Sequence, residues 1–170
     1  MSRHPLVDHL VSTAQRNDRA TLAILRRSSP TSSDAFPHVL PWIPEDDRRG
    51  RREDLYFHLA ALFAIHPVHA QIGNFGRSMW LIAHDGGGKD PNSSAELRFR
   101  RLLEAEQDDL ADLLRQAIRL ASTRTRPVAV DYDMLLRDIL AWDHPDRWVQ
   151  RSWANAYWTP RDLNPDLTGE

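Results

Sequence analysis

The spacing of the apolar residues constrains the fold most, because they recur every three or four positions along most of the chain. Leu55, Leu59, Leu62 and Phe63 predict an amphipathic helix over residues 51–65. The same periodicity predicts further helices over residues 7–16, 19–27, 72–83, 93–103, 108–122, 132–142 and 145–157. No convincing strand pattern exists, since residues 128–130 are too short and isolated. The expected fold class is therefore all-α.

A glycine-rich segment interrupts the helical pattern near the middle of the chain. Residues 86–92 read Gly-Gly-Gly-Lys-Asp-Pro-Asn, a composition typical of linkers. We therefore expect two small helical bundles, residues 1–85 and 93–158, joined by this linker. The last residues, 159–170, are expected to form a frayed tail.

Composition excludes several classes of protein. The chain has no cysteine, which excludes a disulfide scaffold and a thiolate metal site. The first ten residues contain no apolar run of the kind a signal peptide needs. No uncharged window reaches the ~18 apolar residues needed to span a bilayer. We expect a cytoplasmic protein that binds no membrane and needs no cofactor.

Arginine is the unusual component of the charge balance. Formal net charge is −2, yet all but one of the 22 basic residues are arginines, Lys89 being the exception. Arginine makes planar, forked contacts to phosphate and stacks on bases. The arginines occur in sets, several of them on shared helix faces: Arg26 and Arg27, Arg51 and Arg52, Arg98 and Arg101, Arg115 and Arg119, and Arg147 and Arg151. Such faces can follow a phosphate backbone, or they can simply be solvated surfaces paired with nearby acids.

Histidine offers the main route to an enzyme. His66, His69 and His84 are possible ligands of a helical metal hydrolase. Pro67 lies between the first two, however, so they belong to a helix end, and no His-Glu-x-x-His motif is present. We therefore expect no catalytic activity, with the metal hydrolase as a minor alternative.

Four of the six tryptophans lie in the last two predicted helices: Trp142, Trp148, Trp153 and Trp158. Tryptophan can stack on unpaired bases. At helical spacing beside apolar residues, it more often belongs to a core or a protein interface, which is the expectation here.

Several short segments follow one another in a characteristic order between residues 18 and 158. They are Leu25-Arg26-Arg27-Ser28, the segment 36–42, Phe75-Gly76-Arg77, Arg98-Phe99-Arg100-Arg101-Leu102-Leu103, the segment 113–119, Arg147-Trp148 and Tyr157-Trp158. Taken together they resemble the CasB family, the small subunits of the type I-E CRISPR surveillance complex, Cascade. The double arginine and the stretch 98–103 are the more specific parts.

The resemblance implies a two-bundle helical subunit without an active site. It implies binding of guide RNA, target DNA and the displaced single-stranded DNA in antiviral defence. The protein partners would be the backbone and large Cascade subunits and a second copy of the chain. The implied contacts are Arg26, Arg27, Arg51, Arg52, Arg77, Arg98, Arg101, Arg115 and Arg119, with Arg147 and Arg151 weakest. A helical adaptor that binds a protein partner and no nucleic acid remains the principal alternative.

Overall fold

The protein is helical throughout the residues that the computed structural model describes, 2–85 and 93–160. The helices are α1 (Pro5–Gln15), α2 (Arg19–Arg26), α3 (Phe36–Val39), α4 (Arg51–Ile65), α5 (Phe75–Ala83), α6 (Ser93–Glu104), α7 (Gln107–Thr123), α8 (Tyr132–Leu140) and α9 (Trp148–Trp158). Two 3-10 turns, Leu40–Trp42 and Glu45–Asp47, lie between α3 and α4. In these ranges the only β pairing is one isolated bridge between His69 and Val130. The predicted all-α class is confirmed.

Side-chain caps fix the starts of α2 and α8. The carboxylate of Asp18 accepts from the backbone N–H of Thr21 at 3.1 Å, and that of Asp131 accepts from Met134 at 3.0 Å. Each bond satisfies a donor that the first helical turn leaves free. Asp131 is therefore the N-cap of α8.

Helix α4 is the centre of the molecule. Contrary to the amphipathic helix expected from its leucines, α4 is buried on nearly all sides from Leu55 to Ala64. Tyr56, Phe57 and Ala60 complete a surface that contacts α2 on one side and α7 and α8 on the other. A helix enclosed in this way needs no polar face.

Helix α5 packs against α9, α6 and α7, and Gly76 makes the contact with α9 possible. A Cβ atom on Gly76 would lie 2.1 Å from the carbonyl oxygen of Trp153, so no larger residue fits without moving a backbone. Gly73 instead occupies the left-handed region with φ +104°, just before the helix.

The division into bundles at residues 86–92 stays a prediction, because that segment lies outside the described residues. The buried side chains of both halves belong to one contiguous cluster. By its contacts α5 groups with the helices that follow the linker. The predicted tail also lies outside the description from residue 161 onward.

The last helix starts later than expected. The sequence places its beginning at Pro145, but α9 begins at Trp148. Arg147 takes a left-handed conformation with φ +49°, and its Nη2 donates to the carbonyl of Leu103 at 2.7 Å. The left-handed conformation of Arg147 is incompatible with a right-handed helix, so α9 starts only after it, and the bond connects this residue to α6. No helix within residues 2–85 and 93–160 has the length and apolarity needed to cross a bilayer.

Candidate nucleic-acid interface

Arg26 and Arg27 end helix α2 at the surface. The Nε of Arg26 donates to the carbonyl of Ala64 at 3.0 Å, and that of Arg27 donates to Ala23 at 3.3 Å. Both side chains are exposed, and neither has a carboxylate partner among the residues described. Cations are favoured at helix C-termini because the last carbonyls carry partial negative charge. The backbone carbonyls orient these two side chains while their outer guanidinium nitrogens stay open to a ligand.

Arg98 and Arg101 are exposed on one flank of α6. Arg98 donates from Nη1 to the hydroxyl of Ser94 at 3.0 Å, a neutral partner that leaves its charge uncompensated. No ion pair involves either arginine in the part of the chain that the structure describes. Arg100 between them is different, since its Nη2 lies 2.7 Å from Oε1 of Glu96.

Arg51 and Arg52 are already held by acids. Arg51 forms an ion pair with Asp108 at the start of α7. The Nε of Arg52 lies 2.5 Å from Oδ1 of Asp47, and its Nη1 donates to the carbonyl of Leu140 at 3.2 Å. The bond from Arg52 lowers the pKa of Asp47, despite opposing burial. These two arginines therefore connect elements of the fold and carry little free charge.

Arg115 and Arg119 follow the seam between α4 and α7. These helices run side by side in the same direction, because Arg51 meets Asp108 at their beginnings and His58 lies near Arg115 two turns later. Burial is the main cause that lowers the pKa of His58, and Arg115 adds to it.

Arg115 and Arg119 differ in how accessible they are to a ligand. The carboxylates of Asp54 and Asp112 lie near His58 and act to raise its pKa, against the lowering by burial and by Arg115. Arg115 therefore has carboxylates close to it. Arg115 is half-buried, with an Nε atom that has no hydrogen-bond partner in the described structure. Arg119, one turn further, is exposed.

The remaining predicted residues differ in environment. Arg77 is half-buried on α5, and its guanidinium carbon lies 5.4 Å from the ring centroid of Trp80. This contact is a cation–π interaction within the protein. Arg147 is bonded to Leu103, as described above, whereas Arg151 is exposed on α9.

The structure adds two arginines that the search for helix faces missed. Arg124 and Arg126 lie in the loop after α7, with Arg126 exposed. Two residues later the carbonyl of Val128 accepts from Nε2 of His66 at 2.7 Å, beside the end of α4 where Arg26 binds. These arginines therefore lie at the same end of the molecule as Arg26 and Arg27. A simple count of basic residues across segment 119–126 would have identified them.

The three histidines considered as metal ligands each serve the fold. His66 is buried against Val128, Nδ1 of His69 accepts from the backbone N–H of Tyr132 at 3.2 Å, and Nδ1 of His84 lies 2.8 Å from the carbonyl of Trp80. No group of three His, Asp or Glu side chains within the described ranges is placed to hold a metal ion.

Two of the four clustered tryptophans belong to the core. Trp142 and Trp153 are buried, and their rings lie 5.0 Å apart. Trp148 and Trp158 instead keep 45% and 42% of their surface exposed. Burial in the core therefore accounts for two of these four tryptophans.

Fold and surface together define a class: an all-helical protein in which two exposed arginine pairs, Arg26 with Arg27 and Arg98 with Arg101, lack acid partners in the described ranges. Comparison with known families refines this class, because residues 21–158 match the family described as CRISPR-associated protein Cse2. The chain belongs to this family, for which the name CasB is also used. The resemblance inferred from the ordered segments is confirmed.

Individual relatives agree with this assignment. The CRISPR-associated protein Cse2 of Thermus thermophilus is 34% identical over 125 residues, which is 73% of this chain and 68% of the relative. A crystal structure of a Cse2-family protein from that organism superposes with a TM-score of 0.75 at 32% identity, covering 91% of this chain and 96% of the other. A chain of a solved CRISPR RNA-guided surveillance complex gives 0.67 at 25% identity, covering 89% and 92%.

Proposed function

We propose that this protein is the non-catalytic small subunit of a type I-E CRISPR Cascade in antiviral defence. Membership of the Cse2 family supports this, as does the similarity to a chain of an RNA-guided surveillance complex. The subunit binds nucleic-acid backbone without sequence specificity. It thereby stabilises the R-loop of guide RNA and target DNA and holds the displaced strand. Its protein partners are the backbone and large subunits and a second copy of itself.

One observation carries the nucleic-acid part of the proposal. Arg26, Arg27, Arg98 and Arg101 are exposed and have no carboxylate partner in the described part of a chain whose formal net charge is −2. An acidic protein has no bulk attraction for nucleic acid, so local sets of free arginines must supply it. Contacts to phosphate position a strand and carry no sequence information, which suits a subunit that holds any target.

Backbone contact is sufficient for this role because R-loop formation is close to energetically balanced. The RNA–DNA hybrid that forms is about as stable as the DNA duplex it replaces. A few arginine–phosphate contacts to the displaced strand disfavour its re-annealing. No active site is needed, and no cofactor enters this mechanism.

The structure supports a ranking of the nine predicted arginines. Arg26, Arg27, Arg98 and Arg101 come first, followed by Arg119, with Arg124 and Arg126 added beside the first pair. Arg115 and Arg77 follow because they are half-buried. Arg51 and Arg52 come last because Asp108 and Asp47 already bind them.

The first experiment measures binding of the purified protein to a labelled single-stranded oligonucleotide across a salt series. One variant changes Arg26, Arg27, Arg98 and Arg101 to alanine, and a two-residue variant changes Arg26 and Arg27 alone. The matched control changes Arg51 and Arg52, which are exposed but paired with acids. Each lost phosphate contact should reduce the slope of log K against log salt by about 0.7.

We expect the slope of log K against log salt to become shallowest in the four-residue variant and less shallow in the Arg26/Arg27 variant. It should change little in the Arg51/Arg52 control. Equal losses for the Arg26/Arg27 variant and the control would contradict the ranking. Absence of binding at low salt would contradict nucleic-acid binding by the subunit and favour the helical adaptor. Sequence-independent affinity that weakens with salt is the supporting result.

A further inference from the structure

Trp158 is an exposed aromatic residue beside an arginine-rich helix. It ends α9, keeps 42% of its surface exposed, and lies against helix α6, where Arg98, Arg100 and Arg101 are all exposed. An isolated exposed hydrophobic residue needs no explanation. An exposed indole interleaved with guanidinium groups is the surface on which proteins stack unpaired bases.

Two buried aromatic rings hold the indole of Trp158 in position. Its ring lies 5.4 Å from that of Phe99 and 4.8 Å from that of Tyr157, measured between centroids, and both of these residues are buried. The exposed part of the indole is therefore the area that does not contact the rings of Phe99 and Tyr157. A ring fixed before binding loses little conformational freedom when a base stacks on it.

Arg100 is oriented over the same ring. Its guanidinium carbon lies 5.7 Å from the indole centroid, and Glu96 holds it through contacts of 2.7 and 3.1 Å. Glu96 compensates its charge, so this arginine contributes a planar surface rather than a free cation. A guanidinium plane can itself stack on bases.

The free charge lies across the same exposed surface of α6. Leu97, with 53% of its surface exposed, is one helical turn before Arg100 and Arg101 and lies between them on the surface. Arg101 and then Arg98 lie beyond it, on the side away from Arg100, without acid partners in the described residues. Crossing α6 from Trp158, a strand would meet a stacking ring, an apolar side chain and then two phosphate-binding cations.

We propose that Trp158 is a stacking platform for an unpaired base, and that the surface of Trp158, Arg100, Leu97, Arg101 and Arg98 binds single-stranded nucleic acid. The inference rests on the proposed function and specifies its ligand. Bases of a duplex or hybrid are stacked inside the helix and cannot reach the indole. This surface therefore selects the displaced strand over the guide–target hybrid.

Trp148 provides the contrast within the same helix. It is equally exposed, at 45%, but none of the aromatic or cation–π contacts found in the described structure involves it. It lies at the opposite end of α9 from Trp158. Trp148 is therefore the matched control for the loss of an exposed indole.

The test compares three ligands of the same length: a labelled oligothymidylate, an abasic oligodeoxynucleotide and a DNA duplex. The abasic strand has the phosphates without the bases. The wild-type protein should bind the oligothymidylate about tenfold more tightly than the abasic strand, equivalent to ~1.4 kcal/mol. Trp158→Leu should remove this difference, Trp158→Phe should keep part of it, and Trp148→Leu should leave it unchanged.

The outcomes separate this inference from the proposed function. Equal wild-type affinity for the oligothymidylate and abasic strands, with salt-dependent binding to both, would overturn stacking while leaving backbone binding intact. No binding to any ligand would contradict both proposals. A Trp158→Leu variant that keeps the tenfold preference would also overturn the inference, and would favour a protein partner for this surface. Thermal unfolding followed by circular dichroism verifies that each variant is folded, and the wild-type comparison depends on no variant.

Discussion

At the scale of single residues, the partner of an arginine decides what it can bind. Arg52 and Arg98 are both exposed, yet one is held by the carboxylate of Asp47 and the other only by the hydroxyl of Ser94. A charged partner cancels the field that attracts phosphate, whereas a neutral one leaves it. Surface arginines of similar exposure therefore differ in the uncompensated charge that they present.

Asp138 is the residue whose ionisation matters most to the core. It is 6% exposed, and its Oδ2 accepts from the indole N–H of Trp153 at 2.6 Å, which connects α8 to α9. Burial raises the pKa of its carboxyl to about 6, against lowering by the Trp153 bond and by Arg137. Folding therefore favours the neutral form of the Asp138 carboxyl over its charged form, relative to the unfolded chain.

This shift predicts a pH dependence of stability. The folded-state pKa lies above the unfolded value, so the folded protein holds the extra proton between about pH 4 and 6. The contribution of Asp138 to the free energy of unfolding therefore decreases as pH rises through this window and is constant above it. Asp138→Asn keeps an oxygen that accepts from Trp153 but removes the charge. We expect the variant to be more stable than wild type by about 2 kcal/mol at neutral pH.

Urea unfolding at several pH values measures this difference. The gap between variant and wild type should shrink as pH falls below 6, because wild-type Asp138 becomes neutral. Asp143→Asn, at an exposed position, is the control and should change little. A constant gap at all pH values would contradict titration of Asp138 as the cause.

At the scale of elements, the close approach of α5 and α9 depends on a single missing side chain. Gly76 lies within α5, where glycine costs about 1 kcal/mol of helix stability relative to alanine. The contact with the backbone of Trp153 offsets that cost, because α5 lies directly on α9. The Asn74 side chain reinforces the contact by donating to the hydroxyl and carbonyl oxygens of Ser152 at 3.0 and 3.2 Å.

Gly76→Ala should therefore destabilise the protein although it improves helix propensity. The new methyl group would overlap a carbonyl oxygen that cannot rotate away, and we expect a loss of about 1–3 kcal/mol. Chemical denaturation measures it. Asn155→Ala, on the exposed surface of α9, also raises helix propensity and should be neutral or slightly stabilising. An equal change in the free energy of unfolding for Gly76→Ala and Asn155→Ala would contradict this prediction. It would show that α5 and α9 can move apart at little cost in free energy.

At the scale of the whole molecule, charge is distributed unevenly along the parallel helices α4 and α7. Their first turns carry Glu53, Asp54, Asp108 and Asp109 together with Arg51 and Arg52. The opposite end carries Arg26, Arg27, Arg124 and Arg126, joined through the contacts of Ala64 and Val128. These acids and the arginines of the opposite end agree with the helix dipoles. The small net charge thus combines an end of mixed charge with a more basic end.

A reconstituted complex tests the proposed role of the exposed arginines without acid partners. The variant with Arg26, Arg27, Arg98 and Arg101 changed to alanine should enter Cascade in the same proportion as wild type, because all four side chains are exposed and only that of Arg26 bonds to another helix, at the carbonyl of Ala64. Its R-loops should dissociate faster, with the displaced strand more accessible to nuclease. Failure of the variant to assemble would instead place these arginines at subunit interfaces.

The sequence by itself determined the helices, because apolar periodicity and caps are local properties. The helix over residues 51–65 was predicted correctly from the spacing of its apolar residues. The arginine sets and the family were also readable, since they lie within short segments. The amphipathic interpretation of α4 was wrong because its enclosure by other helices is not encoded in its own pattern.

Only the tertiary structure decided which arginines are free and which tryptophans are exposed. Arg51 is neutralised by Asp108, which is 57 residues away in the chain. Trp153 is buried while Trp158, in the same helix, is exposed beside Arg100. Spacing along the chain specifies a face of a helix, but the partner of that face comes from distant segments. The availability of a charge or a ring is therefore a property of packing.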